Sequence, residues 1–142
     1  MADKPEGGGF DEARGGFAAD ALTSVFAAYE FACAFTGHDL RMEATADPRG
    51  YLLNLSGNPL SEDCTMLVPA VLDAIHAFER GYIAIGPRYN FLVDLEFIDP
   101  EFLERLNPIG RLRVPFDTAF HPAQSALTPH LIAFSTGRRQ RS

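Results

Sequence analysis

Two histidines, His121 and His130, each sit beside a proline and flank a long polar connection, while two carboxylates, Asp94 and Glu96, lie two apart in an alternating stretch. Imidazoles that converge on a carboxylate can pass a proton, because histidine titrates near neutral pH and a neighbouring acid favours its charged form. His121, His130 and Asp94 are therefore the candidate catalytic set if the chain is an enzyme. Arginines are the second chemical resource. Arg111 and Arg113 share one face of a later alternating stretch, and Arg88 opens the stretch that carries Asp94 and Glu96. Guanidinium groups in such a groove hold a carboxylate through paired N–H donors, so Arg88, Glu96, Arg111 and Arg113 are candidate ligand-binding residues. Cross-strand ion pairing explains the same residues without a ligand, if the two strands are neighbours.

Other chemistries find less support. Cys33, His38, Cys64 and His76 lack the paired short spacings that gather zinc ligands, so no metal site is expected, and both cysteines read as buried thiols. His76 stands beside the apolar Ile75 and Phe78, which favours a packed or boundary residue over a base. His38 follows Gly37, where a helix C-terminus would favour its cationic form. The chain has no glycine-rich nucleotide fingerprint, serine elbow or HExxH helix. Lys4 is its only lysine, so Schiff-base catalysis and a phosphate-cradling loop lack their central residue. No cofactor is expected.

The elements that position these residues follow from periodicity. Residues 1–16 combine charges with five glycines and no hydrophobic period, as in a flexible arm. From 17 to 36, Leu22, Val25, Phe26, Tyr29 and Cys33 recur at helical spacing up to Gly37, which is placed as a C-cap. Ala28, Phe31, Ala32 and Phe35 make the opposite side of that helix apolar too, so Phe31 and Phe35 are expected at an interface, possible in a homodimer. Leu40 to Ala46 alternates, Asp47-Pro48-Arg49-Gly50 turns, and residues 51–56 complete an expected hairpin. A second helix is expected from about Cys64 to Gly81, with Pro69 in its first turn. Residues 82–85 and 88–97 read as strands, the latter placing Tyr89, Phe91, Val93, Leu95 and Phe97 inward and Asp94 and Glu96 outward. Asp99-Pro100-Glu101 opens a short helix. Residues 111–116 form another strand with Leu112, Val114 and Phe116 inward, 117–129 a long connection, and 130–135 an edge strand. The order is α-β-β-α-β-β-α-β-β, an α+β domain over 17–136 with two main helices, one short helix and a mainly antiparallel sheet, followed by a basic tail at 137–142.

With 142 residues and 46% hydrophobic side chains the chain has ample material for one core. It carries no run of eighteen apolar residues, so no membrane span is expected. Its start lacks a secretory pattern, which together with two unpaired cysteines suggests a cytoplasmic protein. Residues 15–136 hold seven arginines against fifteen acids, a charge of −8, and the basic groups cluster instead in Arg138, Arg139 and Arg141. An acidic body repels phosphate backbones, so nucleic acid is an unlikely partner except for weak contact through that tail. The leading expectation is a non-enzymatic, cytoplasmic protein-binding or regulatory protein of adaptor, chaperone or inhibitor type, acting as a small acidic dimer. The alternative is a small cofactor-free lyase or isomerase, or a ligand-binding enzyme, with a His/Asp/Arg pocket between sheet and helices.

Overall fold

The computed structural model describes residues 22–56 and 63–141, with side chains through residue 137. The expected arm at 1–16 lies outside the described residues. Among the described residues the architecture is α+β: five helices and two small antiparallel sheets of two strands each.

Helix α1 (22–28) buries Leu22, Val25, Phe26 and Tyr29 on one face at the i, i+3, i+4 spacing that the sequence presents. It stops eight residues short of Thr36. The Phe31 amide donates to the Phe26 carbonyl at 2.8 Å and the Glu30 amide to the Ala27 carbonyl at 2.9 Å, the nested bonds of a Schellman stop. Glu30 occupies the left-handed position, with φ of 57°, and Phe31 follows at 58°. The two phenylalanines at the ends of this motif stack, with centroids 6.1 Å apart, and that apolar contact stands in for the glycine a helix ordinarily uses here. The chain then folds back on itself: Leu40 donates to the Phe31 carbonyl, and Ala32 bridges to Asp39 around Gly37.

This early stop changes the reading of the apolar side chains beyond it. Phe35 is fully buried and stacked on Phe91, with centroids 5.7 Å apart, while Phe31 is half-buried beneath the Arg41 guanidinium. Phe35 is thus a core residue of a single chain and not an interface residue. No second subunit is needed to cover it.

Residues 41–46 form helix α2 (Arg41–Ala46) instead of a strand. Leu40 is fully buried and Ala44 packs on the core, four residues apart, whereas Met42, which strand alternation would turn inward, is 83% exposed. Asp39 accepts both the amide and the guanidinium of Arg41, at 2.9 Å each, and the amide bond foremost holds its carboxyl below the usual carboxylate range. Strand β1 (Leu52–Asn54) follows a 3-10 turn and pairs antiparallel with β2 (Leu67–Pro69), Leu52 opposite Pro69. Its partner is therefore the 67–69 stretch, which the apolar pattern alone places in a helix. Pro69 ends that strand, and helix α3 (Leu72–Glu79) begins only after it. Gly81, at φ 78°, closes α3 as its position in the sequence suggests.

Strand β3 (Ile83–Ile85) pairs antiparallel with β4 (Phe91–Val93). Beyond Val93 the alternation inverts. The Asp94 carbonyl accepts the amides of Phe97 and Ile98, so the chain turns; Asp94 is 3% exposed while Leu95 is 72% exposed. Helix α4 (Pro100–Arg105) is built as its sequence dictates, with Pro100 at its first turn and the Asp99 carboxylate accepting the Glu101 amide. The 111–116 stretch is not a strand: Arg111 makes a single antiparallel bridge to Asn90, just before β4, and the Arg113 amide turns to the Ala34 carbonyl. Leu112 points inward, but Pro115 takes the next buried position and leaves Phe116 fully exposed.

The C-terminal stretch is helix α5 (Gln124–Arg141), not an edge strand, and it includes the backbone of residues 137–141 of the expected basic tail. Ala126, Leu127, His130, Leu131 and Phe134 form one helical stripe, buried or half-buried, and α5 packs against β3. Pro129 lies inside this helix at a cost of about 3 kcal/mol for an interior proline. Burial of that stripe offsets the cost.

Candidate functional site

A single asparagine organises a cleft of about 550 Å³ between the 107–114 segment and Tyr89. The Asn107 side-chain amide donates to the carbonyls of Ala34 (2.8 Å) and Arg111 (3.0 Å), and its backbone amide donates to Phe35 at 2.9 Å. The turn 107–110 is thereby fastened to the strap after α1, with Gly110 at φ 74° letting the chain reverse. The Arg113 amide donates to the same Ala34 carbonyl at 2.8 Å, which sets the far end of the segment.

Tyr89 forms the other wall. Its φ of 63° is costly for a residue with a side chain, about 1–2 kcal/mol. Three hydrogen bonds hold it there: its amide donates to the Gly86 carbonyl at 2.9 Å, its carbonyl accepts the Leu112 amide at 2.7 Å and its hydroxyl donates to the Pro122 carbonyl at 2.9 Å. Strain maintained by several contacts is common where a surface must be presented in one shape. The resulting cleft, about 550 Å³, is lined by Tyr89, Pro108, Ile109, Arg111, Arg113 and Val114 among others.

Its chemistry is mixed. Ile109 is 73% exposed, and the guanidiniums of Arg111 and Arg113 flank the inward-facing Leu112. The Arg111 Nε donates to the Arg88 carbonyl at 3.3 Å, leaving its other N–H donors available, and among the described residues it has no carboxylate partner. Arg113 pairs with Glu30, at the end of α1, rather than with Asp94 or Glu96. Both members of that pair are largely exposed, so the bond contributes little and exchanges readily for another carboxylate.

The remaining sequence candidates are dispersed. His121 Nε2 lies 2.7 Å from the Pro115 carbonyl; since a carbonyl only accepts, that nitrogen carries the proton, and the imidazole meets the Tyr89 ring edge-on. His121 thus braces the end of the arginine segment. His130 Nε2 donates to the Phe78 carbonyl at 2.6 Å and its ring stacks on Phe78 with centroids 3.6 Å apart. Asp94 Oδ1 accepts the Glu96 amide at 3.1 Å. No described contact joins the three. Glu96 and Arg88 are exposed. His76 is exposed as well, lining a smaller cleft of about 210 Å³ with Asp73, Arg80 and Asp99. Among the described residues no three His, Cys, Asp or Glu side chains gather closely enough to hold a metal ion.

Of the expected ligand-binding set, Arg111 and Arg113 share one cleft, with Arg88 touching it only through its carbonyl. From sequence Tyr89 fits either a pocket mouth after Gly86-Pro87 or the inward face of a strand, with core packing favoured, and Asn107 is not singled out as a site residue. Gly86-Pro87 before Tyr89 and Asn107-Pro108-Ile109-Gly110 signalled turns, but a turn signal does not reveal which side chains it brings together.

His130 carries a consequence of its own. Burial pushes its pKa below the ordinary histidine value, opposed in part by the bond to Phe78, and Nδ1 is buried without a hydrogen-bond partner. Protonation at Nδ1 would place charge where nothing receives it, so the unfolded chain binds that proton more readily. Its stabilising contribution is therefore complete above about pH 6.5 and declines as pH falls from there through the folded pKa. Thermal melts of wild type and His130→Gln between pH 8 and 5 should show the wild type losing more stability across pH 6.5–5. Parallel curves would show that His130 does not titrate in this way.

No family model, curated protein or solved structure matches this chain.

Proposed function

We propose that this chain is a non-enzymatic protein-binding module of adaptor or inhibitor type. In this reading the Arg111/Arg113 cleft receives a partner segment that carries an apolar side chain beside one or two carboxylates. The observation that carries it is the composition of the cleft: two accessible guanidiniums set around an exposed isoleucine and a strained, anchored tyrosine. Arginine and tyrosine are the residues on which binding energy concentrates, because both combine apolar area with directional hydrogen bonds. Phe116, fully exposed just beyond the segment, extends the apolar surface.

Charge adds selectivity. The body of the chain is acidic, so an acidic partner is repelled everywhere except where arginines face it, which fixes the register of docking. Both thiols are free, which fits a reducing compartment, and we place the protein in the cytoplasm. Among the described residues no helix is long and apolar enough to cross a membrane. The reading calls for no homodimer, since the apolar side chains that suggested one are covered within the chain. It needs no proton-transfer site, in keeping with the separate surroundings of His121, His130 and Asp94.

Selection from a random peptide library displayed on phage tests this directly. Enriched sequences should place an aromatic or aliphatic residue next to Asp or Glu, and binding should weaken as salt rises through a few tenths molar. Enrichment of basic peptides, or none at all, would overturn the proposal.

A further inference from the structure

The smaller cleft, about 210 Å³ between α3 and α4, is built from different residues than the arginine cleft and shares none of its lining. Helix α3 and its C-cap lay Asp73, His76, Ala77 and Arg80 at i, i+3, i+4 and i+7, so the four share one face. Arg105, at the end of α4, pairs with Asp73 at 2.6 Å, and its guanidinium lies over the Phe102 ring. That pair neutralises the Asp73 end. Arg80 stands about 10 Å away along the helix, at roughly 1.5 Å per residue. Asp99, at the opposite end of α4 from Arg105, lines the cleft with it.

Two opposite charges therefore share this cleft without meeting. Asp99 gives one oxygen to the Glu101 amide, at 3.4 Å. Among the described residues its other oxygen has no partner and no carboxylate reaches the Arg80 guanidinium. The wall beside them is aromatic: Tyr82 and Phe97 stack with centroids 5.8 Å apart, and Phe97 remains 44% exposed while Phe102 is buried.

We propose that this cleft binds a small free α-amino acid, its ammonium on Asp99, its carboxylate on Arg80 and its apolar side chain against Tyr82 and Phe97. Charge selects that class. Arg80 repels a lone cation such as a lysine side chain, and Asp99 repels a lone anion such as phosphate, whereas a zwitterion satisfies both. The Arg80 guanidinium offers a carboxylate paired N–H donors, and an ammonium beside Asp99 also gains from the face of Phe97. Size narrows it further. Pockets for drug-sized ligands run from about 300 to 1,000 Å³, so this smaller cleft suits a molecule the size of leucine or phenylalanine rather than a peptide segment.

The test is an amide chemical-shift titration of the wild-type chain with four probes: L-leucine, L-phenylalanine, N-acetyl-leucine, which lacks the ammonium, and leucinamide, which lacks the carboxylate. Both free amino acids should shift His76, Arg80, Tyr82 and Phe97 saturably, with a Kd of about 1 mM or below. Each blocked form should bind there at least about tenfold more weakly, because one charge-assisted hydrogen bond is lost and the group facing it is left unpaired. N-acetyl-leucine binding as well as leucine would make this an anion site, and leucinamide binding as well would make it a cation site; either overturns the proposal. So would shifts that fail to saturate by about 10 mM, or leucine shifts confined to 109–114, which belong to the arginine cleft. Asp99→Asn keeps a side chain that caps α4 and removes the charge, so it should melt as wild type does and bind leucine at least about tenfold less tightly. Wild-type affinity in that variant would overturn the assignment of the ammonium to Asp99.

Discussion

Replacing Phe35 by alanine is expected to destabilise the chain by about 3–5 kcal/mol, the range for removing a buried aromatic ring from a packed core. The side chain is fully buried, its ring stacks on Phe91, and its carbonyl receives the Asn107 amide that anchors the cleft turn. A domain of this size has about 5–15 kcal/mol in total, so the loss is a large part of its stability. Urea unfolding should show a lowered midpoint that does not depend on protein concentration. If Phe35 instead served a dimer contact, the substitution would leave the monomer's stability intact and change only the concentration dependence. Phe31→Ala, at a half-buried position, should cost less.

The contrast between these two phenylalanines shows how far sequence periodicity reaches. The apolar spacing through Leu22, Val25, Phe26 and Tyr29 identifies α1 correctly, because burial on one helical face imposes it. The same spacing continues past the point where the helix stops. Glu30 adopts a left-handed conformation that glycine ordinarily supplies, held by the contact between Phe26 and Phe31, and no residue type announces it. Where the punctuation is chemical, as in Asp99-Pro100 before α4 or Gly81 after α3, sequence and structure coincide.

Short segments mislead for a different reason. A spacing of four residues satisfies both a strand's period of two and a helix's period of 3.6, so Leu40 and Ala44 fit either element. The exposure of Met42 resolves it, and that exposure is a tertiary fact. Similarly, the turn at Asp94 inverts a pattern that looks strand-like to Phe97, and the contacts of α5 with β3 override the proline within its second turn. For the site, the alternation of Arg111 and Arg113 about Leu112 was legible. Their assembly with Tyr89 depends on the Asn107 clamp and a strained backbone, which act across the fold.

Reversing both arginines, Arg111→Glu with Arg113→Glu, should lower affinity for a selected acidic peptide by at least about a hundredfold, since attraction becomes repulsion at two contacts. Stability should change by no more than about 1 kcal/mol, because both side chains are exposed and the Glu30 pair is a surface one. Calorimetric titration measures the first quantity and a thermal melt the second. A variant that melts normally and still binds acidic peptide would remove the arginines from the site.

The most direct measurement is an amide chemical-shift map of the wild-type chain titrated with a selected acidic peptide. The largest shifts are predicted at Tyr89, Ile109, Arg111, Leu112, Arg113 and Val114, diminishing as salt is raised. Shifts centred on the Asp73/His76 cleft or the surroundings of His130, with residues 109–114 unmoved, would contradict the assignment of this cleft as the binding site.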